Sequence, residues 1–151
     1  MEATKVGIIG CGNISGIYLE NLSKYDATDL FAVADLDTSR AQGKADEFKI
    51  PHVLAVDEML AHPEVEIVVD LTIPAAHYDV AKLALNAGKH VYNEKPLAIG
   101  LYEGSELVDL AASKGVRLGC APDTVLGAGI QTCREMIENG ELGELVGFNG
   151  F

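Results

Sequence analysis

The chain has 151 residues, of which 48% are hydrophobic and 23% charged, a balance typical of one globular domain that buries a core without disulfides. Its formal net charge of −12 argues against nucleic acid and anionic membranes as partners, because both require a basic contact surface. The sequence has no apolar run of transmembrane length, no signal-peptide pattern, and three cysteines without paired spacing. We therefore predict a reduced, cytoplasmic protein without a metal site.

Short apolar runs alternate with helical patterns along the chain, which predicts βαβ units on a parallel sheet. Strands are expected at residues 5–10, 30–35, 52–55, 65–71, 90–93 and 116–120. Helices are expected at residues 13–23, 38–48, 57–61, 74–87, 100–114 and 127–139, the second of them capped by Thr38 or Ser39. The predicted fold class is α/β: a Rossmann-type, doubly wound, mostly parallel sheet flanked by helices.

A glycine-rich turn, GCGNIS at residues 10–15, joins the first predicted strand to the first predicted helix. In a dinucleotide fingerprint, Gly10 permits the tight turn and Gly12 lets the backbone approach a pyrophosphate. The first N–H groups of the helix, at Asn13 and Ile14, then meet the negative charge of the phosphates. Ser15 occupies the third position, where glycine or alanine is usual, and is small enough for close packing between helix and strand.

An acidic residue at the end of the second predicted strand supports the same interpretation. Asp35 lies 25 residues after Gly10, where a carboxylate that accepts hydrogen bonds from the adenosine ribose is expected. Such a carboxylate repels a 2′-phosphate, so NAD is favoured, although Arg40 is close enough in sequence to accommodate NADP. The alternatives are a structural turn with a solvated Asp35, or a different cofactor such as an adenosyl sulfonium.

A lysine flanked by two constraining residues follows the fifth predicted strand, within NEKP at residues 93–96. Ligands bind at this end of the strands in open parallel sheets. Pro96 restricts Lys95 to an extended conformation, and the lysine amine can donate or accept a proton, with Glu94 placed to orient it. The alternative from the pattern alone is an exposed, salt-bridged pair on a turn.

Together, the GCGNIS loop, Asp35, the T-x-P-x-x-H pattern at residues 72–77 and the E-K-P pattern at residues 94–96 resemble the Gfo/Idh/MocA oxidoreductases. This family is named after glucose–fructose oxidoreductase and inositol 2-dehydrogenase. The resemblance implies a Rossmann domain followed by a C-terminal α/β domain on a large open sheet. It also implies oxidation of a sugar or cyclitol hydroxyl with NAD or NADP.

The resemblance assigns roles to individual residues of this chain. It implies that Lys95 binds substrate and is catalytic, and that Glu94 contacts the nicotinamide ribose. It further implies that Thr72 and Pro74 line the nicotinamide side of the cofactor. His77 is expected to be either a cofactor-side ligand or a structural histidine within the helix.

The resemblance also suggests how the chain is organised. Residues 1–144 are expected to form the NAD(P)-binding domain, and residues 145–151 the first strand of a C-terminal substrate domain that lies outside this chain. We therefore expect the chain to bind nucleotide without catalysing a reaction alone, and the full-length protein to be a homo-oligomer with a small, sugar-like substrate. The alternatives are an NAD-dependent glycosidase of the same family and a non-enzymatic NAD-binding sensor or repressor.

Overall fold

The computed structural model describes residues 2–122, 124–147 and 149, and the chain separates into two units. The first unit, Met1–Ala121, holds the β-sheet and the helices around it. The second unit, Pro122–Phe151, holds a 3₁₀ turn and one helix.

One parallel sheet organises the first unit, and every strand pairing within its described residues is parallel. Its six strands are β1 (Thr4–Ile9), β2 (Thr28–Ala34), β3 (His52–Val53), β4 (Ile67–Asp70), β5 (His90–Asn93) and β6 (Leu118–Cys120). They lie in the order β3-β2-β1-β4-β5-β6, the order of a doubly wound dinucleotide-binding fold. The predicted fold class is confirmed.

Helices cover both faces of this sheet. They are α1 (Ser15–Leu22), α2 (Thr38–Phe48), α3 (Val56–Ala61), α4 (Pro74–Asn86) and α5 (Leu101–Lys114). On one face, α1 and α2 contribute Leu19, Ala41 and Ala45 to a core with alternate side chains of β1, β2 and β4. On the other face, α3, α4 and α5 pack on the remaining side chains, including those of Met59, Leu85 and Leu107. Apolar strands buried on both faces explain the continuous hydrophobic runs of the sequence.

The elements predicted within the first unit are all present, and most of the differences are at their ends. β3 and β6 are each two residues shorter than predicted, and α1 begins at Ser15 instead of residue 13. The predicted cap of α2 was wrong: Asp37 is the N-cap residue, and its carboxylate accepts hydrogen bonds from the backbone N–H groups of Ser39 and Arg40. An aspartate one residue earlier satisfies the unpaired N–H groups and places negative charge at the positive end of the helix.

The sheet register aligns the carboxyl ends of the central strands. Ile9 at the end of β1 pairs with Ala34 of β2 and with Asp70 of β4, and Asp70 pairs in turn with Asn93 of β5. The chain leaves β1 towards α1 on one face and leaves β4 towards α4 on the other face. This divergence opens a crevice at the point where ligands bind in open α/β sheets.

The second unit contains a 3₁₀ turn at Thr124–Leu126 and α6 (Ala128–Glu138), close to the predicted helix at 127–139. The strand predicted at residues 145–151 is not observed at 145–147 or 149, and its other positions lie outside the described residues. The proposed boundary at residue 144 therefore stays a prediction. In the part of the chain that the structure describes, no helix has the length and hydropathy needed to cross a bilayer.

Candidate functional site

The glycine loop of residues 10–15 is packed tightly against the backbone that follows β4. Gly10 has a φ of 99°, and its N–H donates to the carbonyl of Ala34 at 2.8 Å. A Cβ at Gly10 would lie 2.7 Å from the carbonyl carbon and oxygen of Leu71. Both the positive φ and this close approach require glycine, so Gly10 shapes the turn as predicted.

Gly12 has the opposite surroundings. A Cβ at Gly12 would meet no atom within 4 Å, and its φ lies outside the left-handed region. The N–H groups of Gly12, Asn13 and Ile14 donate to no acceptor among the described residues. Ser15, fully buried, donates its hydroxyl to the carbonyl of Gly12 at 2.7 Å and holds the loop in place. The loop therefore presents free donors and open space at the start of α1, which fits a pyrophosphate.

Asp35 is fixed beside this loop. Its Oδ2 accepts the N–H of Cys11 at 2.7 Å, and its Oδ1 accepts the N–H of Asp37 at 2.8 Å. The guanidinium of Arg40 lies 3.4 Å from Oδ1 and is half exposed. The carboxylate is thus held at the end of β2 with acceptor capacity left for ribose hydroxyls. Arg40 is paired with this carboxylate instead of being solvated alone.

Cys11 is a packing residue of the loop. Its side chain is buried, and its thiol faces the carbonyl of Ala34 at 3.7 Å. Burial, with the nearby carboxylate of Asp35, raises the pKa of Cys11 to about 11. A thiol that ionises so late is a poor nucleophile at neutral pH.

A second loop follows β4 and leads into α4. The N–H and the hydroxyl of Thr72 both donate to Oδ1 of Asp70, at 3.0 and 2.6 Å. Pro74 occupies the first turn of α4, where its missing N–H costs nothing, and its side chain is exposed. Thr72 and Pro74 therefore lie at the carboxyl edge of the sheet, and their contact with the nicotinamide side of a cofactor stays a prediction.

His77 lies beneath that edge and not on it. Only 1% of its surface is exposed, and its ring nitrogens contact two backbone carbonyls: Nδ1 that of Pro96 at 2.6 Å, and Nε2 that of Thr72 at 3.0 Å. A ring enclosed in this way has no surface for a cofactor to contact. The geometry favours the structural alternative for His77 over the cofactor-side role.

The E-K-P segment follows β5 and contains a cis Lys95–Pro96 peptide. Glu94 is anchored twice: Oε1 accepts the hydroxyl of Tyr18 at 2.7 Å, and Oε2 accepts the N–H of Lys95 at 2.8 Å. Lys95 itself is exposed, and no ion pair of its ammonium is found within the described part of the first unit. The salt-bridged Glu94–Lys95 pair of the alternative interpretation is therefore not observed, and Lys95 lies at the sheet edge.

Three residues around the site were not predicted from the sequence. Tyr18 reaches Glu94 from the inner side of α1, and Asp70 and Asn93 are buried at the ends of β4 and β5. Asp70 had a signal, since it is a charged residue within the most apolar strand. Tyr18 had none, because it lies on an apolar helical stripe that equally describes a core residue.

Similarity to known proteins agrees with this geometry. The profile of the family described as "Oxidoreductase family, NAD-binding Rossmann fold" (GFO_IDH_MocA) matches residues 4–121. An inositol 2-dehydrogenase/D-chiro-inositol 3-dehydrogenase of Lactiplantibacillus plantarum is 34% identical over 120 residues, covering 78% of this chain and 34% of the relative.

Two solved structures superpose closely on the chain. GenD2 from gentamicin A biosynthesis, in complex with NAD, has a TM-score of 0.89 and 28% identity, covering 93% of this chain and 40% of that protein. Biliverdin reductase from Synechocystis sp. PCC 6803, with biliverdin and NADP+, has a TM-score of 0.82 and 30% identity, covering 93% and 44%. The chain thus spans less than half the length of each of these relatives. The profile matches most of the chain and confirms the resemblance seen in its motifs, so the chain belongs to the Gfo/Idh/MocA oxidoreductases, the NAD-binding Rossmann family.

Proposed function

We propose that this chain is the nucleotide-binding part of an NAD(P)-dependent dehydrogenase that acts on a sugar, a cyclitol or a related hydroxyl or carbonyl compound. The observation that carries the proposal is the alignment of β1, β4 and β5, whose carboxyl ends are neighbours in the sheet. This alignment supports one crevice bordered by the loop of free N–H donors and by Lys95, whose ammonium has no ion pair within the described first unit.

Each part of the crevice has a role in holding the cofactor. The backbone at Gly10, Gly12, Asn13 and Ile14 receives the pyrophosphate, because unpaired N–H groups at a helix start attract negative charge. Asp35 receives the adenosine ribose hydroxyls and repels a 2′-phosphate, which makes NAD the preferred cofactor.

The nicotinamide half lies towards the other two loops. Thr72 and Pro74 line that side, and Glu94 contacts the nicotinamide ribose. The hydroxyl of Tyr18 holds the carboxylate of Glu94 in place. We place His77 outside the cofactor contacts because its ring is enclosed.

Lys95 supplies the proton chemistry. When bound, the nicotinamide accepts or returns a hydride, which is the redox part of the reaction. The amine of Lys95 takes the proton of the substrate hydroxyl at Nζ, and its ammonium returns a proton to a carbonyl oxygen in the opposite direction. An exposed ammonium without a competing partner in the described first unit is free to contact the substrate oxygen.

The substrate class is inferred from the relatives and from the difference in length between them and this chain. The inositol dehydrogenase among the relatives supports a polyhydroxylated substrate, and the length difference supports a second domain that completes the substrate pocket. We further propose that the full-length protein is a cytoplasmic homo-oligomer with a small-molecule substrate.

The test is turnover of the full-length protein with Lys95→Met, with Lys114→Met as the control at an exposed position of α5. We expect Lys95→Met to bind NAD normally while production of NADH on a polyol screen falls steeply, and Lys114→Met to be unaffected. Normal turnover by Lys95→Met would remove this lysine from the mechanism. Cleavage of a glycoside without net NADH would replace the dehydrogenase with the NAD-dependent glycosidase.

A further inference from the structure

Three polar side chains are buried together below the Thr72 and Lys95 loops. Asp70, His77 and Asn93 have exposed fractions of 0%, 1% and 0%. Asp70 and Asn93 are register partners at the ends of β4 and β5, so their side chains project on the same face of the sheet. This is the face that α4 covers, and α4 carries His77. Buried polar groups are costly unless they are paired, so the cluster has a structural or functional reason.

The ring of His77 joins the two loops. Its Nδ1 lies 2.6 Å from the carbonyl oxygen of Pro96, and its Nε2 lies 3.0 Å from that of Thr72. Carbonyl oxygens accept hydrogen bonds, so the ring can only act as a donor towards them. His77 therefore links the backbone that follows β5 to the backbone that follows β4.

Asp70 fixes the Thr72 side of this connection. Its Oδ1 accepts the N–H and the hydroxyl of Thr72, while its Oδ2 has no hydrogen-bond partner among the described residues. Burial raises the pKa of Asp70 above its ordinary value, and the bonds from Thr72 offset this only in part. The two bonds from Thr72 hold the loop whose carbonyl faces the ring of His77.

The same cluster holds the chain on the far side of Lys95. His77 donates to the carbonyl of Pro96, and the Nδ2 of Asn93 donates to the carbonyl of Leu97 at 3.3 Å. On the near side, Glu94 is held by Tyr18. Lys95 therefore lies between two anchored neighbours, although its own ammonium is unpaired within the described first unit.

We propose that His77 is a positioning residue for Lys95 that acts through the carbonyl of Pro96. The T-x-P-x-x-H and E-K-P motifs then act together, because the histidine of the first holds the backbone beside the lysine of the second. This proposal rests on the proposed role of Lys95.

The positioning role is tested in the full-length enzyme with His77→Gln, Lys95→Met and the double variant, with His52→Gln as the control. His77→Gln is expected to lower kcat by between about 10-fold and about 100-fold, because a displacement of about 1 Å costs that much, with the Kd for NAD unchanged. In the Lys95→Met background the same substitution is expected to change nothing further.

The outcomes separate the two proposals. If Lys95→Met retains full turnover, the proposed function fails and this inference fails with it. If Lys95→Met is inactive while folded His77→Gln has normal kcat, only the positioning role is refuted. Additive losses in the double variant would also refute it, since they show that His77 acts independently of Lys95.

Discussion

The two glycines of the phosphate loop are expected to respond oppositely to the same substitution. Gly10→Ala and Gly12→Ala each add one methyl group, two residues apart. At Gly10 the methyl carbon would lie 2.7 Å from the backbone of Leu71 in a residue with a φ of 99°. At Gly12 it would meet no protein atom within 4 Å. The first glycine is required by the fold and the second, on this account, by the ligand.

The geometry sets the magnitudes. At Gly10, the unfavourable φ costs about 1–2 kcal/mol and the overlap with fixed backbone about 1–3 kcal/mol. The expected loss of about 3 kcal/mol in the free energy of unfolding corresponds to about 6–12 °C in Tm, at about 2–4 °C per kcal/mol for a chain of this size. Gly12→Ala is expected to change stability by under about 1 kcal/mol, since alanine in a compatible conformation restricts mainly the unfolded chain.

For NAD binding, unlike stability, Gly12→Ala is expected to have a marked effect. A methyl group between the loop and a pyrophosphate costs about 1–3 kcal/mol of overlap, which lowers affinity for NAD by between about 5-fold and about 150-fold. Thermal unfolding by circular dichroism and titration with NAD on both variants provide the measurements. A Gly12→Ala variant that binds NAD as tightly as the parent chain would refute the assignment of this loop to the pyrophosphate. A Gly10→Ala variant of unchanged Tm would refute the packing argument.

Three further outcomes follow from single contacts. Asp35→Ser is expected to weaken NAD binding by about 10-fold to about 100-fold, through loss of charge-assisted hydrogen bonds, and to weaken NADP binding less. Parallel titrations measure the ratio of the NAD and NADP affinities, and an unchanged ratio contradicts the ribose assignment. Tyr18→Phe releases Glu94 of the E-K-P motif and is expected to lower NAD affinity by under about 10-fold, measured by calorimetry. Tyr78→Phe breaks a similar Tyr–Glu bond between α4 and α5 and is expected to leave NAD affinity unchanged. Because the pKa of Cys11 is raised to about 11, its thiol is expected to react with maleimide at pH 8 far more slowly than exposed Cys133. Faster labelling of Cys11 in a peptide map would contradict its burial. The contribution of the Cys11 thiol to stability is fully present below its ordinary pKa of 9.0 and is lost as the pH rises through about 11.

The sequence predicts most of the fold because its hydrophobic runs are unusually clear. Strands buried on both faces must be apolar throughout, so β1, β2 and β4 are visible as short continuous runs. Their ends are less clear, since burial extends past the last ladder pair: Leu71 is buried but lies outside β4. The cap of α2 was assigned one residue late because Asp37, Thr38 and Ser39 are all good capping residues in sequence.

The residues around the site also differ in how far the sequence predicts their positions. The positions of Gly10 and Asp35 beside each other could be predicted because backbone geometry and chain order restrict which residues can stand there, whereas their contacts with a cofactor stay predictions. The position of His77 was not decidable, because a histidine at a helix start looks the same whether it faces a ligand or the core. Tyr18 was missed because its partner Glu94 is 76 residues away, and long-range side-chain contacts leave no mark in a single sequence.

The 151-residue chain is expected to bind a nicotinamide dinucleotide through the loop at residues 10–15. Isothermal titration of the purified chain with NAD, alongside Gly12→Ala, measures this binding. We expect saturable binding of one NAD per chain, weakened in the variant while its circular dichroism spectrum and Tm stay those of the parent. A chain that is folded by the same spectrum but gives no binding at millimolar NAD, or binding that Gly12→Ala leaves unchanged, would contradict it.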